Sequence, residues 1–462
     1  MPGRTPAPAD LVIAAGLLPI ESDADSRALR FTDRAAGLFT AALAAHEGRT
    51  AFVGRVPTAL TGRAAVGDAD LHPITLTDQQ VADFARGHCA TTLAPAYDGV
   101  RQPVFRRAWR EAYTEVNQIV ANRIAAAAAV GARVWLHDHH LQLVPSLLRD
   151  QRPDLRVGLQ LHGPFPPLEL FLRLPDRQAL VAGLLGADLL AFAHHQHADN
   201  FRQAAQYLAG VRAGRDHLQL PHRRVRLAVI PAGVDADAVR ALALDPAVRE
   251  RAEQLRAELG RPETVFLAVG RLDHSQGIRQ RLDAYARLLA DRRLDPDRTV
   301  LVQAITSADR TEHHAQLRQE VERQVAQING GYARIGRPVI HHLHRHLDQA
   351  ELVAHHLAAD VFLATPLSEG VNLTAKEFLA ARIDDTGRLV LSEFSATAAE
   401  LPQAMLVNPY DVEALADAIV AAGSAARLPA AEVGDARRAV EGQDARHRSR
   451  EFLAALGDAA AP

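Results

Sequence analysis

Short runs of consecutive apolar residues alternate along this chain with longer stretches of helical period. The runs Leu11–Ala15, Arg133–Leu136, Val157–Leu161, Leu189–Phe192 and Val225–Ile230 predict strands. Runs this short, apolar at successive positions, are the mark of a parallel sheet covered on both faces. Between them, helical spacing appears over Asp33–Ala45, Thr75–Gly87 and Arg106–Ala129, in a helix ending near Arg149, and in helices from Asp176 and His197. A charged helical stretch, Ala236–Pro262, reads as a hinge, after which the alternation starts again. Strands are expected at Val265–Val269, Thr299–Ala304, Val339–His342, Val361–Ala364 and Leu389–Leu391. The helices between and after them are Arg279–Ala290, Thr311–Ile328, Gln349–His356, Asn372–Ala381, Asp411–Ala422 and an Arg-rich Ala430–Leu456. Strand–helix alternation throughout predicts an α/β protein with two doubly wound, Rossmann-like domains, 1–235 and 236–445, facing each other across a cleft.

Composition narrows the classes of function. In 462 residues, 48% are hydrophobic and 23% charged, as in a soluble globular protein of two or three domains. A net charge of −3 carries no polybasic field, so nucleic acid is not an expected partner. The single cysteine, Cys89, excludes a disulfide framework and fits a reducing compartment. Neither a secretory leader nor a membrane-length apolar run is read, so the expected location is the cytoplasm.

The chemistry gathers where strands end. In ATPLSEGVNLTAKE, Ala364–Glu377, a strand runs into a loop with Ser368, Glu369 and Gly370, and a helix begins near Asn372. The unpaired N–H groups and dipole of such a helix start suit a phosphate or diphosphate. Lys376, the only lysine, lies on this helix. Three further clusters follow strands: His137-Asp138-His139-His140, His162-Gly163-Pro164-Phe165-Pro166 and Arg271-Leu272-Asp273. Any one alone reads as structural, whereas together at the carboxyl edges of two sheets they predict a ligand cleft. Arg271 offers a fixed cation for a diphosphate leaving group, Glu369 an acceptor for sugar hydroxyls, Glu377 reach to a ribose diol, and His162 a group facing the reacting centre. The histidines of His194–His197 and His341–His346 come without carboxylate or cysteine spacing and read as surface or part-buried side chains, with no metal expected. No GxGxxG turn follows a strand, and no GxxxxGK[ST] or GxSxG element occurs, so dinucleotide, P-loop and serine-hydrolase chemistry drop out.

In order and spacing, the stretches VWLHDHHLQLVPSLLR, LQLHGPFPPLELFLRLP, LLGADLLAFAHHQHADNF, VIPAGVD, VGRLDHSQGI, TPLSEGVNLTAKEF and LVLSEFSATAAEL with LVNPYD resemble the trehalose-6-phosphate synthase family of retaining glycosyltransferases. The resemblance covers roughly residues 106–422. It implies a GT-B architecture without catalytic metal or other cofactor, with a UDP- or GDP-linked sugar as donor, a small-molecule acceptor, no membrane partner and a homo-oligomeric assembly. It also implies that the last helix, 446–462, packs back on the N-terminal domain. By motif position Asp138 and His162 become sugar-facing, Arg271 the diphosphate arginine and Glu377 the ribose carboxylate. Gly370, Val371, Asn372 and Leu373 form the donor loop, the amides of Asn372 and Leu373 holding phosphate.

Several positions depart from the family pattern. The diphosphate lysine is Gln276, and the donor-loop aspartate is Glu369, which we count with His162, Asp138 and Arg271 as the candidate catalytic set. Near the N-terminus the family's Ser-Asn-Arg reads Ala14-Ala15-Gly16 and its Gly-Gly-Leu reads Ala36-Gly37-Leu38. The acceptor aromatics are Ala85 and Ala94, and Arg310 stands near the second domain's phosphate arginine. Gly16, Gly37 and Arg310 are therefore the acceptor-side candidates. A dianionic phosphate needs several fixed cations or donors, so these losses predict a glycosyltransferase of specialised metabolism whose acceptor is not glucose 6-phosphate. The alternatives are trehalose-6-phosphate synthesis itself, with Arg34, Arg49 and Arg55 as replacement cations, coupling of a cyclitol nucleotide to an amine, and a catalytically silent regulatory homologue.

Overall fold

The computed structural model describes residues 7–22, 29–31, 36–56, 64–306, 312–424 and 430–459. The chain divides into two compact units, one of residues 1–232 and 445–462, the other of residues 233–444.

In the first unit, the strands Arg224–Val229, Leu189–Phe192, Arg156–Leu161, Ala128–His137, Ala9–Leu17, Thr50–Arg55 and Ala69–Pro73 lie side by side in that order and run parallel. Antiparallel strands close both edges, His217–Gln219 and Arg212–Ala213 at one and Ala64–Val66 at the other. Successive residues of Ala9–Leu17 feed opposite faces. Val12 and Ala14 join a core built with the helix Arg107–Ala127, while Leu11 and Ile13 join one built with Phe39, Trp135 and Phe452. The second unit repeats the plan with all strands parallel, in the order Ile340–His344, Thr299–Thr306, Thr264–Arg271, Val361–Ala364, Arg388–Ser392, Met405–Val407. Val265 and Leu267 face one layer of helices, Phe266 and Ala268 the other.

Each sheet has a place where the strand order reverses. In the first unit it lies between Ala9–Leu17 and Ala128–His137, in the second between Thr264–Arg271 and Val361–Ala364. The loops leaving these pairs diverge to opposite faces and open a crevice at the carboxyl ends.

Three expectations need correction. The stretch read as a hinge is two helices, Ala236–Leu244 and Pro246–Glu258, whose Val239, Ala243, Val248, Ala252 and Leu255 belong to the second unit's core, so the boundary falls at Ala232. The Arg-rich helix is two, Ala430–Gly442 and Ala445–Asp458, parted after Gly442. Only the later one belongs to the first unit. Finally, Thr50–Arg55 is a central strand that the helical reading passed over.

The helix Ala445–Asp458 seals one face of the first sheet. Phe452 stacks on Trp135 with ring centroids 4.2 Å apart and planes at 12°, and both side chains are buried. Phe452→Ala is expected to lower the stability of the first unit by about 3–5 kcal/mol. Urea denaturation followed by tryptophan fluorescence measures this, and an unchanged midpoint would contradict the packing.

Candidate active site

In the second unit a narrow crevice opens at the reversal point, lined by Gly270, Arg271, Gln276, Arg281, Gln303, Thr365 and Asn372 among others. Its floor is set by close approach. The left-handed turn at Gly277, with φ of 60°, starts the helix Ile278–Ala290 and presses on the neighbouring strand end. A Cβ at this position would lie 2.0 Å from the Thr365 carbonyl oxygen, so both the conformation and the space require glycine. Leu367 N–H donates to the Ser275 carbonyl at 2.6 Å, tying the two strand-end loops together. Arg271 is exposed, whereas Gln276 and Arg281 are buried.

The helix Leu373–Ala381 begins as its sequence predicts, with Asn372 as N-cap accepting from the Ala375 N–H at 2.8 Å. The same side chain donates to Glu369 Oε2 at 2.8 Å, and Gln276 Nε2 donates to Glu369 Oε1 at 3.1 Å. Both Glu369 oxygens are thus engaged with neutral amides. Burial pushes this carboxyl up, and the two amides only partly offset it. Glu369 therefore holds the loop and the helix start together rather than presenting an open carboxylate, and it is absent from the crevice lining. The Asn372 N–H is also committed, to Thr397 Oγ1 at 2.8 Å. Of the two amides expected to hold phosphate, this leaves that of Leu373. The loop is further fixed where the Gly370 carbonyl accepts from Ala396 N–H and Ser395 Oγ, with Val371 half-buried beside it. Asp273 is buried enough to raise its carboxyl, yet His314, the Ser275 N–H and the charge of Arg271 hold it well below the usual range.

Glu377 is buried one turn along the helix, its Oε1 accepting from Gln349 Nε2 at 3.4 Å, and it does not line the crevice. Lys376 turns inward to Glu400, with Nζ 2.8 Å from Oε1. Its place on the helix is structural. Arg310 and Arg34 lie outside the described residues. Arg49, an expected replacement cation, bonds Asp70 Oδ2 at 2.8 Å.

In the first unit the reversal point carries Gly16 and Asp138. A Cβ on Gly16 would lie 2.9 Å from His140 Cβ, so glycine lets the histidine loop settle on the strand end. Gly37 lies at the start of the helix Ala36–Ala44, whose Phe39 packs against His137 with ring centroids 5.2 Å apart. Asp138 has φ of 69°, which a non-glycine residue holds only under strain. Polar groups that the sequence reading missed hold it there. Tyr113 hydroxyl and Gln142 Nε2 both donate to the His139 carbonyl, and Asn117 Nδ2 donates to that of His140. The signal was available: Asn117 is a polar residue on the apolar face of Arg107–Ala127. Burial pushes the Asp138 carboxyl up, but His139, then His162 and His140, hold it well below the usual range. Asp138, His139 and His140 bring ligand-type atoms within 4.8 Å of one another. The Asp138 Oδ1 lies 3.3 Å from His139 Nδ1. The other histidine cluster of this unit is a helix cap, His194 Nδ1 accepting from the Gln196 N–H.

His162 Nε2 lies 3.0 Å from His137 Nδ1, with the rings stacked at 10°. Burial lowers both, and the neighbouring ring lowers His137 further. His137 Nε2 is buried with no bonding partner. The proton therefore belongs on His137 Nδ1, donated to His162 Nε2, which leaves the proton of neutral His162 on Nδ1.

The two doubly wound units are those of the GT-B class of glycosyltransferase, the fold of the trehalose-phosphate synthase structures that the chain resembles. The profile of glycosyltransferase family 20 matches residues 34–452, and the chain belongs to that family. It is 44% identical over 403 residues to a trehalose-6-phosphate synthase of Mycobacterium avium (strain 104), covering 85% of this chain and 82% of that one. With the enzyme of the same name from Mycobacterium sp. (strain KMS) it shares 40% over 473 residues, 99% of this chain and 97% of that one. Among solved structures, a UDP-forming α,α-trehalose-phosphate synthase from Burkholderia xenovorans in complex with glucose 6-phosphate superimposes with a TM-score of 0.87 at 26% identity, covering 97% of this chain and 99% of that one.

Two outcomes follow from this geometry. Gly277→Ala is expected to cost more than about 1 kcal/mol, because the new methyl meets a carbonyl and the backbone is left-handed; thermal denaturation with a wild-type midpoint would contradict the close approach. The second concerns His137, whose folded pKa lies below the unfolded value of about 6.5. Below that value the unfolded chain takes up a proton that the native one refuses, so stability rises with pH to about 7 and is lost as pH falls. His137→Gln is expected to flatten this dependence by up to about 1.4 kcal/mol per pH unit. Urea midpoints taken between about pH 5 and 7 measure it, and identical slopes would contradict a buried neutral pair.

Proposed function

We propose that the chain is a retaining hexosyltransferase that uses a nucleoside-diphosphate sugar, with glucose 6-phosphate as acceptor and trehalose 6-phosphate as product. One observation carries the donor side: among the described residues, the crevice at the second sheet's reversal point is lined by two arginines and no carboxylate, beside a helix start with an amide to spare. In this reading the second unit holds the diphosphate, while Asp138 and His162 of the first unit bind sugar hydroxyls. The acceptor hydroxyl attacks the anomeric carbon on the face the diphosphate leaves. As the new C–O bond forms and the old one breaks, the proton passes to a leaving phosphate oxygen. The protein's share is to orient both partners and stabilise the departing charge, with no metal assigned to the step.

The acceptor assignment rests on the relatives. Identity of 44% over 85% of the chain and of 40% over 99% of it, to enzymes named trehalose-6-phosphate synthase, supports glucose 6-phosphate over the different acceptor expected from the altered N-terminal motifs. A second reading, transfer to an acceptor without phosphate, keeps one observation in its favour, the Arg49 guanidinium already bonded to Asp70. The deciding experiment incubates the enzyme with UDP- or GDP-glucose and either glucose 6-phosphate or glucose, and follows nucleotide release and the product. Trehalose 6-phosphate formation dependent on the acceptor's phosphate is expected. Equal turnover of glucose would favour the second reading, and the absence of nucleotide release with glucose 6-phosphate at any concentration would contradict the first.

A further inference from the structure

Arg281 is 4% exposed. Its Nε bonds Gln303 Oε1 at 3.0 Å and its Nη1 bonds Thr365 Oγ1 at 2.7 Å, both neutral oxygens. No carboxylate reaches it among the described residues. The two other arginines buried to this degree in the same unit feel acids: Arg382 has Asp384 within 3.4 Å, and Arg388 is drawn to Glu432. A guanidinium withdrawn from water keeps its charge at a high cost unless an anion completes it, and the favourable place for that anion is the crevice that Arg281 lines with Arg271. Among the described residues, the acids that follow these strands are already spent, Asp273 on His314 and Ser275, Glu369 on Gln276 and Asn372. Burial alone pulls the Arg281 guanidinium down to about 10, which leaves it charged at neutral pH.

We propose that Arg281 is the second fixed cation of the donor pocket, its counterion being the diphosphate of the bound nucleotide, in place of the positive charge that Gln276 lacks. This rests on the donor reading above. Gln276 lines the same crevice, but its amide is turned to Glu369, so the pocket's charge comes from Arg271 at the exposed lip and Arg281 beneath.

Binding of UDP, UMP, GDP and GMP to the full chain, by calorimetry and by thermal shift, tests this in the wild type, Arg281→Met, Arg281→Lys, and Arg281→Met combined with Gln276→Lys. The diphosphate is expected to lose at least about tenfold in affinity in Arg281→Met, with much less change for the monophosphate. The nucleotide-free melting temperature should change little, because removing the uncompensated buried charge offsets the lost bonds to Gln303 and Thr365. Arg281→Lys should retain an intermediate preference for diphosphate. Restoring a cation through Gln276→Lys should recover most of the loss. Equal diphosphate binding in Arg281→Met and wild type would overturn the inference while leaving the donor reading in place. So would a parallel loss for mono- and diphosphates, with a lower nucleotide-free melting temperature and no recovery by Gln276→Lys. A wild-type chain that binds none of the four nucleotides would overturn the donor reading, and Arg281's role with it.

Discussion

The second unit depends on one contact, the backbone of Gly277 against the carbonyl of Thr365. Where two parallel strands part to feed opposite layers of helices, nothing in the sheet itself keeps their ends together. Here the helix start at Gly277 is pressed directly onto the end of the neighbouring strand, closer than any side chain would allow. That closeness lets Arg281, one turn along the helix, bond Thr365 at the end of one strand and Gln303 within another. It also brings Gln276 to Glu369, and Glu369 to Asn372, so that the N-terminus of Leu373–Ala381 is aimed by a chain of amide-to-carboxylate hydrogen bonds. A crevice lined, among the described residues, by two arginines and no acid is the consequence.

The first unit solves the same topological problem with different chemistry. Gly16 again removes a side chain at the reversal point, but the loop it admits is held in a strained turn at Asp138 by buried hydroxyl and amide groups. Such strain persists only when its surroundings over-determine it, and Tyr113, Asn117 and Gln142 supply that from a helix and a turn far apart in sequence. The His137–His162 pair sits on the layer of Phe39 and Trp135 that the last helix covers. A residue near the end of the chain thus steadies rings next to the sugar-facing candidates.

Much of this was legible in the sequence, and the parts that were not share a cause. The strand Val361–Ala364, its loop and the Asn372 cap are local, within reach of turn and capping rules, and they form where expected. Asp138, His162 and Arg271 stand at the ends of strands, which the alternation of apolar runs places at the carboxyl edges. What escaped depends on contacts across long separations. Arg281, in RQRLDAYARLL, reads as one more exposed arginine on an amphipathic helix until Gln303 and Thr365 close over it. Glu369 reads as an open acceptor until Gln276, 93 residues away, takes one oxygen. Lys376 looks like a candidate for the site because it is the only lysine, yet a partner elsewhere in the chain turns it inward. The strand Thr50–Arg55 was missed because its apolar run is only Ala51–Val53, set between Thr50 and Gly54-Arg55.

The family relationship settles that the chain is a glycosyltransferase, and the physical account locates the charge such an enzyme needs: not in the lysine of the family motif, but in a buried arginine one turn later. The most direct measurement is a crystal structure of the full chain soaked with UDP. The account predicts the diphosphate in the crevice of the second unit, with its oxygens in hydrogen-bonding distance of Arg271, Arg281 and the Leu373 N–H. A nucleotide bound with its phosphates away from these three groups, and Arg281 still held only by Gln303 and Thr365, would contradict it.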